Sequence, residues 1–157
     1  MPPAPLPLAG VRVLDLSRVL AGPYCTMTLA DMGAEVIKVE NPDSGDDSRG
    51  FAPAHEGQSV YFLTVNRNKR SVALDLKAPG GRDAFLKLAA KSDVVVENYR
   101  TGVMRRLGLG YDVLKAIRPG LVYCAISGYG LDGPNADVPG YDPIAQAESG
   151  FMSMIGE

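Results

Sequence analysis

The stretch "VRVLDLSRVLAGPYCTMTLADMGAEVIKVE", residues 11–40, decides the fold. Its first part, "VRVLDLS" (11–17), alternates apolar and polar residues, which is typical of a short strand. The middle part predicts a helix over 22–32, because a proline suits its first turn and Gly33 suits the position just beyond its end. This helix is apolar nearly all round, which predicts that it is well buried. "EVIKVE" (35–40) predicts a second strand, so the stretch is the strand–helix–strand unit of a parallel sheet.

The rest of the chain continues this alternation, and a long polar loop (41–58) follows the first unit. The pattern predicts an α/β fold with a doubly wound, mostly parallel, Rossmann-like sheet in a single domain over residues 1–157. No strand follows the last predicted helix, so the alternation is interrupted there. The further predicted elements are an apolar segment (59–65), a basic turn (66–70), strands at 71–76, 93–99 and 121–127, a helix from Pro79, a helical stretch (102–120) broken at Gly108 and Gly110, and a helix capped by Asp142.

The composition is that of a globular protein, with 46% hydrophobic and 22% charged residues. A net charge of −2 argues against a general role in binding nucleic acid or a membrane surface. No apolar run is long enough to span a membrane. The start, "MPPAPLPLAG", lacks the basic region of a signal peptide, and we expect a short extended arm and a cytoplasmic location.

Metal and redox chemistry have little support in the sequence. Cys25 and Cys124 both lie in apolar runs, which favours buried, reduced thiols over a disulfide. His55 is the only histidine, so no metal-ligand spacing is recognisable and a histidine-based catalytic device is disfavoured. The adjacent aspartates of "SGDDSRG" (44–50) are expected to cap backbone amides of a polar loop rather than to bind a metal.

The stretch "GYGLDG" (128–133) matches the glycine pattern of dinucleotide-binding proteins and follows a predicted strand. That pattern requires a helix to begin at the glycines, with its N-terminus towards the pyrophosphate. Pro134 and Pro139 occupy the place where this helix would run. The sequence therefore predicts a glycine-containing loop and no nicotinamide site.

Two stretches combine positive charge with amide or glycine residues, "NRNKR" (66–70) and "RRLGLG" (105–110). The first is either a solvated turn or an edge that binds phosphate, and the second is a further basic site with glycines, after the strand at 93–99. Ligands of open α/β sheets bind beyond the carboxyl ends of the strands. The segments 17–23, 97–102 and 127–130 lie at such ends, and we expect them to converge on a ligand that carries phosphate.

In this order, four stretches resemble the class III CoA-transferases, a family that includes carnitine and formyl-CoA transferase-like proteins and the α-methylacyl-CoA racemases. They are "LPLAGVRVLDLSRVLAGPYCTMTLADMGAEVIKVENPDSGDDSRG", "VNRNKRSVALDLK", "DVVVENYRTGVMRRLGLGYDVL" and "ISGYGLDGP…GYDPIAQAESG". The resemblance implies a Rossmann-like large domain that binds coenzyme A (CoA) or acyl-CoA as a substrate, with no permanently bound cofactor. Many relatives carry arginine at position 41, where this chain has asparagine. By position, the implied CoA contacts are Arg18, Val19, Asn41, Lys69, Arg70, Asn98, Tyr99, Arg106 and Leu107.

Tyr141 separates the two chemistries of the family. The racemases carry histidine here and use it as one of two bases in proton exchange next to the thioester carbonyl. Tyrosine, with an unperturbed pKa of about 10, is a poor substitute. The resemblance therefore points to a transferase, with Tyr141 in the substrate pocket.

Transferases of this family use an aspartate nucleophile, which the resemblance places beyond residue 157. The resemblance thus implies that this chain is the N-terminal part of the large domain, without the small domain and the returning C-terminal segment. Full-length members exchange CoA between an acyl-CoA and a free carboxylic acid and form homodimers. We expect the chain alone to be inactive. The alternatives are a fragment of an acyl-CoA racemase and a non-catalytic CoA-binding protein that is complete at 157 residues.

Overall fold

The first three elements form the expected strand–helix–strand unit. Strand β1 (Arg12–Asp15) leads into helix α1 (Ala21–Asp31), which leads into strand β2 (Glu35–Glu40). The two strands pair in parallel, with Val13 opposite Val36. These elements belong to a computed structural model that describes residues 5–155.

The remaining elements follow the predicted alternation, and the broken helical stretch is confirmed as two short helices. They are a 3-10 helix (Asp47–Gly50), β3 (Ala54–His55), β4 (Gln58–Ser59), α2 (Val60–Asn66), β5 (Lys69–Ala73), α3 (Pro79–Ala89), β6 (Val94–Glu97), α4 (Val103–Arg106), α5 (Tyr111–Ile117), β7 (Val122–Ala125), α6 (Asp142–Glu148) and α7 (Phe151–Ile155).

The main sheet has five strands in the order β5-β2-β1-β6-β7, and every neighbouring pair is parallel. The chain builds outward from β1 to β2 and β5, and then adds β6 and β7 on the other side of β1. This is the strand order of the Rossmann fold, so the predicted α/β class is confirmed. The order reverses between β1 and β6, and open sheets of this kind bind ligands beyond the carboxyl ends of the strands at that point.

The sheet is covered on both faces, as parallel sheets require. Val13 of β1 points into a cluster with Ala30 and Ala34 at helix α1. Its neighbour Leu14 points to the other face, into a cluster that includes Phe85 of α3. All these side chains are at most 7% exposed, so the two hydrophobic layers hold the strand ends in fixed positions.

Two predictions from the sequence about elements in or beside the sheet are wrong. Strand β5 begins at Lys69, so the basic stretch 66–70 is not a turn throughout, and parallel pairing with β2 accounts for the earlier start. Helix α1 is buried on one face only, because just one side of it reaches the sheet and Tyr24 on the other side is 58% exposed.

Two further predictions about loops and helix ends also need correction. The segment 41–58 is a loop only in part, since it contains the 3-10 helix and the start of the β3–β4 hairpin. The terminal helix is divided in two at Gly150, whose positive φ of 76° ends a helix readily. Asp142 is the first residue of α6, and the cap position belongs to Tyr141.

Helices α6 and α7 present an exposed apolar surface. Within residues 5–155, neither helix has a buried residue, and Phe151, Met154 and Ile155 are 49%, 75% and 61% exposed. The accessible surface of the chain is 9824 Å². A compact monomer of the same mass exposes about 7,600 Å². The chain therefore exposes more surface than a compact monomer of its mass, and α6 and α7 contribute apolar area to it.

We therefore expect the chain to associate as its concentration rises. Sedimentation velocity should show a growing average sedimentation coefficient, and an apolar dye should bind the dilute protein. The double variant Phe151→Ser/Met154→Ser should associate less, because it removes apolar surface and no buried contact. A monodisperse monomer that binds no dye would contradict this expectation.

Candidate functional site

A cavity of about 530 Å³ lies where β1, β6 and β7 end. It occupies the point at which the strand order reverses, which is where this fold places ligands. The predicted site residues Arg18, Asn98, Tyr99 and Tyr141 all line it. The other lining residues are Ala21, Asp47, Arg100, Thr101, Ile126, Ser127, Gly128, Ala136, Asp137, Val138, Pro139 and Gly140.

Asn98 connects the end of β6 to the segment after β1. Its side-chain oxygen accepts a hydrogen bond from the backbone N–H of Arg18 at 2.8 Å, and its side-chain nitrogen donates to the Arg18 carbonyl at 2.8 Å. The guanidinium of Arg18 lies 5.5 Å from the centre of the Tyr99 ring and 3.3 Å from a carboxylate oxygen of Asp47. The cavity wall therefore carries the positive charge of Arg18, and the main chain of Arg18 is held in place.

Buried polar groups at the end of β6 lie behind the cavity wall and stabilise it. Glu97, the last residue of β6, accepts hydrogen bonds from the backbone N–H of Tyr99 at 2.8 Å and from the hydroxyl of Tyr123 at 3.1 Å. Burial raises the pKa of Glu97 and of both tyrosines above their ordinary values. The tyrosines are therefore neutral at physiological pH, and Tyr99 offers the cavity an uncharged ring.

Gly128, the first glycine of "GYGLDG", allows a close approach between two loops. A Cβ placed on Gly128 would lie 2.4 Å from the Cα of Gly140, and the reverse holds as well. Side chains at these two positions would force the loops apart. As expected, no helix begins at this glycine pattern, and Gly128 and Gly140 both line the cavity.

A buried ionic cluster lies beneath the segment 17–19. Lys38 pairs with Asp46 at 2.8 Å, and Lys69 pairs with Asp15 at 3.0 Å. All four side chains are at most 2% exposed. As expected for the polar loop, Asp46 also caps backbone amides, accepting from the N–H of Ser48 at 2.9 Å.

Lys69 is not placed to bind a phosphate. Its ammonium donates to Asp15, to the Pro23 carbonyl and to the Asn66 side chain, at 2.9–3.0 Å. These acceptors use all three of its protons. Burial lowers the pKa of Lys69, and the neighbouring carboxylate opposes this effect. The predicted phosphate contact by Lys69 is therefore corrected to a structural ion pair.

Arg70 and Asn41 also lie apart from the cavity wall. Arg70 is beside Ile37 near the amino end of the sheet and pairs with Glu35 at 3.2 Å, whereas the cavity is at the carboxyl ends. Asn41 accepts from the backbone N–H of Asp43 at 2.8 Å and so stabilises the turn after β2. The structure does not bring these two predicted residues to Arg18.

A second cavity, of about 260 Å³, contains the predicted residues Arg106 and Leu107. It adds two cations that the sequence analysis missed, Lys77 and Arg82. Their spacing in "KAPGGR" (77–82), around the start of α3, was a signal that could have found them. Three cationic side chains around one cavity are suited to a phosphate group.

The ionic groups at the carboxyl ends predict a loss of stability in acid. Burial opposes ionisation of Asp46 and Glu40, but hydrogen bonds from Lys38 and Ser48 to Asp46, and from Arg49 and Ser71 to Glu40, outweigh it. Both pKa values lie below their ordinary values of 3.8 and 4.5. Depressed carboxyl pKa values stabilise the fold above the unfolded values, and this contribution is lost as pH falls through the folded ones.

Thermal melts should therefore show a falling midpoint between about pH 5 and pH 2.5. The variant Glu40→Gln should flatten part of this slope, because it removes one of the titrating groups. A midpoint that stays constant over this range would contradict the ionic contacts of both carboxylates.

Other kinds of site have little support within residues 5–155. No group of three or more histidine, cysteine, aspartate or glutamate side chains in this part of the chain could hold a metal ion. No described helix is long and apolar enough to cross a membrane. Both cysteines are free thiols, and burial raises the pKa of Cys124.

Comparison with known proteins identifies the family. The model of CoA-transferase family III matches residues 8–157. This chain belongs to CoA-transferase family III. The resemblance drawn from its sequence motifs is thereby confirmed.

Two curated relatives and one solved structure define the similarity further. The chain is 53% identical over 151 residues to succinyl-CoA:glutarate CoA-transferase from Mus musculus, covering 96% of this chain and 35% of that protein. It is 47% identical over 164 residues to succinate–glutarate CoA-transferase from Agrobacterium fabrum, covering 100% of this chain and 41% of that protein. A crystal structure of a CAIB/BAIF family protein from Brucella suis matches with a TM-score of 0.93 and 45% identity. The match covers 98% of this chain and 42% of that protein. The family III chain thus spans about two fifths or less of the length of these proteins.

Proposed function

We propose that this chain forms the CoA-binding part of a CoA-transferase that moves CoA between an acyl-CoA and a free carboxylic acid. The observation that carries the proposal is the cavity at the ends of β1, β6 and β7, which brings together Arg18, Asn98, Tyr99 and Tyr141. Family membership supports a ligand class for that cavity, since the matching family model is that of CoA-transferase family III.

The charges around the two cavities support an assignment of the parts of CoA. Lys77, Arg82 and Arg106 line the smaller cavity, and we assign the phosphate groups to it, because clustered cations compensate phosphate charge. The larger cavity has a mixed wall, with the Tyr99 ring beside one guanidinium, and we assign the thioester end to it. The segment 98–107 runs from one cavity to the other.

Dicarboxylic acids are the substrates we propose. The mouse and Agrobacterium relatives are named for succinate and glutarate, and their identity to this chain is 53% and 47%. Arg18 lines the larger cavity with its side chain 46% exposed, so it is available to a second carboxylate on a substrate. We therefore expect acids with two carboxylates to be preferred over monocarboxylic acids.

The chemistry we propose uses an aspartate supplied by protein beyond residue 157. Its carboxylate attacks the thioester carbonyl, forms an acyl anhydride and expels CoA thiolate. The thiolate attacks the aspartyl carbonyl of the anhydride, giving an aspartyl-CoA thioester and the free donor acid. The acceptor carboxylate then repeats these two steps in reverse, which regenerates the aspartate and yields the new acyl-CoA. We further propose that two such proteins form a homodimer.

A chimera tests the proposal. Residues 1–157 would replace the matched segment of the Agrobacterium relative, and transfer of CoA from succinyl-CoA to glutarate would be followed by mass detection of glutaryl-CoA. We expect turnover that depends on residues of this chain, so Arg18→Ala in the chimera should lower it at least about tenfold. A folded chimera without transfer would overturn the proposal. Deuterium exchange next to the thioester of a 2-methylacyl-CoA, in place of transfer, would favour the racemase.

A further inference from the structure

The backbone of Ser17, Arg18 and Val19 is held almost entirely by side chains. Asp15 accepts from the N–H of Ser17 at 3.0 Å, and Lys38 donates to the Ser17 carbonyl at 2.8 Å. These bonds take both backbone polar groups of Ser17. The segment thus leaves β1 without regular secondary structure and still has its main chain fixed.

The next two residues are held in the same way. Asn98 bonds to both the N–H and the carbonyl of Arg18, each at 2.8 Å. Asp46 accepts from the N–H of Val19 at 3.1 Å. Five consecutive backbone polar groups are therefore bound by side chains from β1, β2, the end of β6 and the cap of the 3-10 helix.

These hydrogen bonds maintain a backbone conformation that the segment 17–19 would not keep by itself. Val19 has a positive φ of 68°, a conformation that is unusual for any residue with a branched Cβ. Such a conformation persists only where the surroundings over-determine it, and it is common at ligand sites. Since Arg18 lines the larger cavity, the fixed main chain sets the point from which its side chain extends along the cavity wall.

Three of the four residues whose side chains hold the backbone of 17–19 cannot touch a ligand in that cavity. Asp15, Lys38 and Asp46 are at most 1% exposed, and none of them lines the cavity wall. Their charges compensate each other within the buried cluster, because Lys38 pairs with Asp46 and Asp15 pairs with Lys69. Any effect they have on a bound ligand must therefore pass through the segment 17–19.

We propose that Asp15, Lys38, Asp46 and Asn98 are positioning residues, which hold Ser17–Val19 in the conformation that binds CoA. This inference rests on the proposed function, since it assumes that CoA is the ligand. The anchored backbone gives Arg18 its place before CoA arrives, so binding does not have to order this segment.

The test combines amide hydrogen exchange with CoA affinity in the full 157-residue chain. Asn98→Ala removes both bonds to Arg18. The double variant Lys38→Met/Asp46→Asn removes the donor to Ser17 without leaving a lone buried charge, while the new amide oxygen at 46 still accepts from Val19. Gln58→Ala is the control, since that exposed residue lies in the β3–β4 hairpin and lines neither cavity.

In Asn98→Ala, we expect the amide of Arg18 to exchange at least about tenfold faster without CoA, while the amides of the buried strand β6 keep their protection. Calorimetry should then show CoA affinity lowered by about tenfold in both variants and unchanged in the control. A purely structural role would lower β6 protection and leave the affinity of the remaining folded protein unchanged.

Three results would overturn the inference in distinguishable ways. Unchanged exchange at Arg18 in Asn98→Ala would show that the segment does not need this anchor. Faster exchange with unchanged CoA affinity would remove the positioning role and leave the proposed function intact. A wild-type chain that does not bind CoA, with its Arg18 amide still protected, would overturn the proposed function itself. If the double variant does not fold, Lys38→Gln/Asp46→Asn replaces it, because Asn98 itself lines the larger cavity and Asn98→Ala alone does not separate positioning from direct contact.

Discussion

Replacing Lys38 by methionine should lower the free energy of unfolding by about 3–5 kcal/mol. The variant leaves the carboxylate of Asp46 without its counter-ion in a place where its side chain has no exposed surface. Removing the counter-ion of a buried charge is among the costliest single changes to a protein. The Ser17 carbonyl would lose its donor as well.

Urea unfolding followed by circular dichroism measures this effect. The double variant Lys38→Met/Asp46→Asn should recover most of the loss, because it removes both charges together. Arg67→Met is a matched control, since it breaks an ion pair with Asp31 in which the arginine side chain is 52% exposed, and it should hardly change the midpoint. Equal stability of Lys38→Met and the wild type would mean that the buried pair does not form.

The 157-residue chain alone should show no CoA transfer, which is the second large effect. The proposed chemistry requires a nucleophilic aspartate that we expect in protein beyond residue 157, so we expect no covalent intermediate on residues 1–157. Incubation with succinyl-CoA and glutarate, with mass detection of glutaryl-CoA, should match the rate without protein. The Agrobacterium relative is the positive control. Repeated turnover by the pure chain would show that the nucleophile lies within residues 1–157.

The sheet was predictable because its hydrophobic residues recur periodically and because proline and glycine mark the ends of its elements. Residues 11–40 contain alternating strands and a helix bounded by a proline and a glycine, and each of these features acts locally. The apolar run at 93–99 indicated a strand buried on both faces, and β6 is one. The helix ends were less predictable, since the break at Gly150 depends on a single positive φ.

The candidate site was predictable where it depends on topology. Arg18 follows the end of β1, and Asn98 and Tyr99 follow the end of β6, and a parallel sheet brings such ends together. Tyr141 was expected in the substrate pocket only from the family resemblance, and it lines the same cavity. The direction of a side chain was not predictable in the same way. Lys69 has the charge of a phosphate contact, but it turns inward to an aspartate 54 positions earlier in the chain. Charge in a sequence shows which residues could bind an anion, and only packing shows which ones are free to do so.

The measurement that tests the central claim most directly is nuclear magnetic resonance mapping of CoA binding to the chain. The account predicts saturable shifts of backbone amides at 17–19, 98–101 and 127–128, which border the larger cavity, and at Lys77 and Arg106 beside the smaller one. Amides near Arg70, at the amino end of the sheet, should not move. Absence of binding at millimolar CoA, or shifts confined to the amino end of the sheet, would contradict the account.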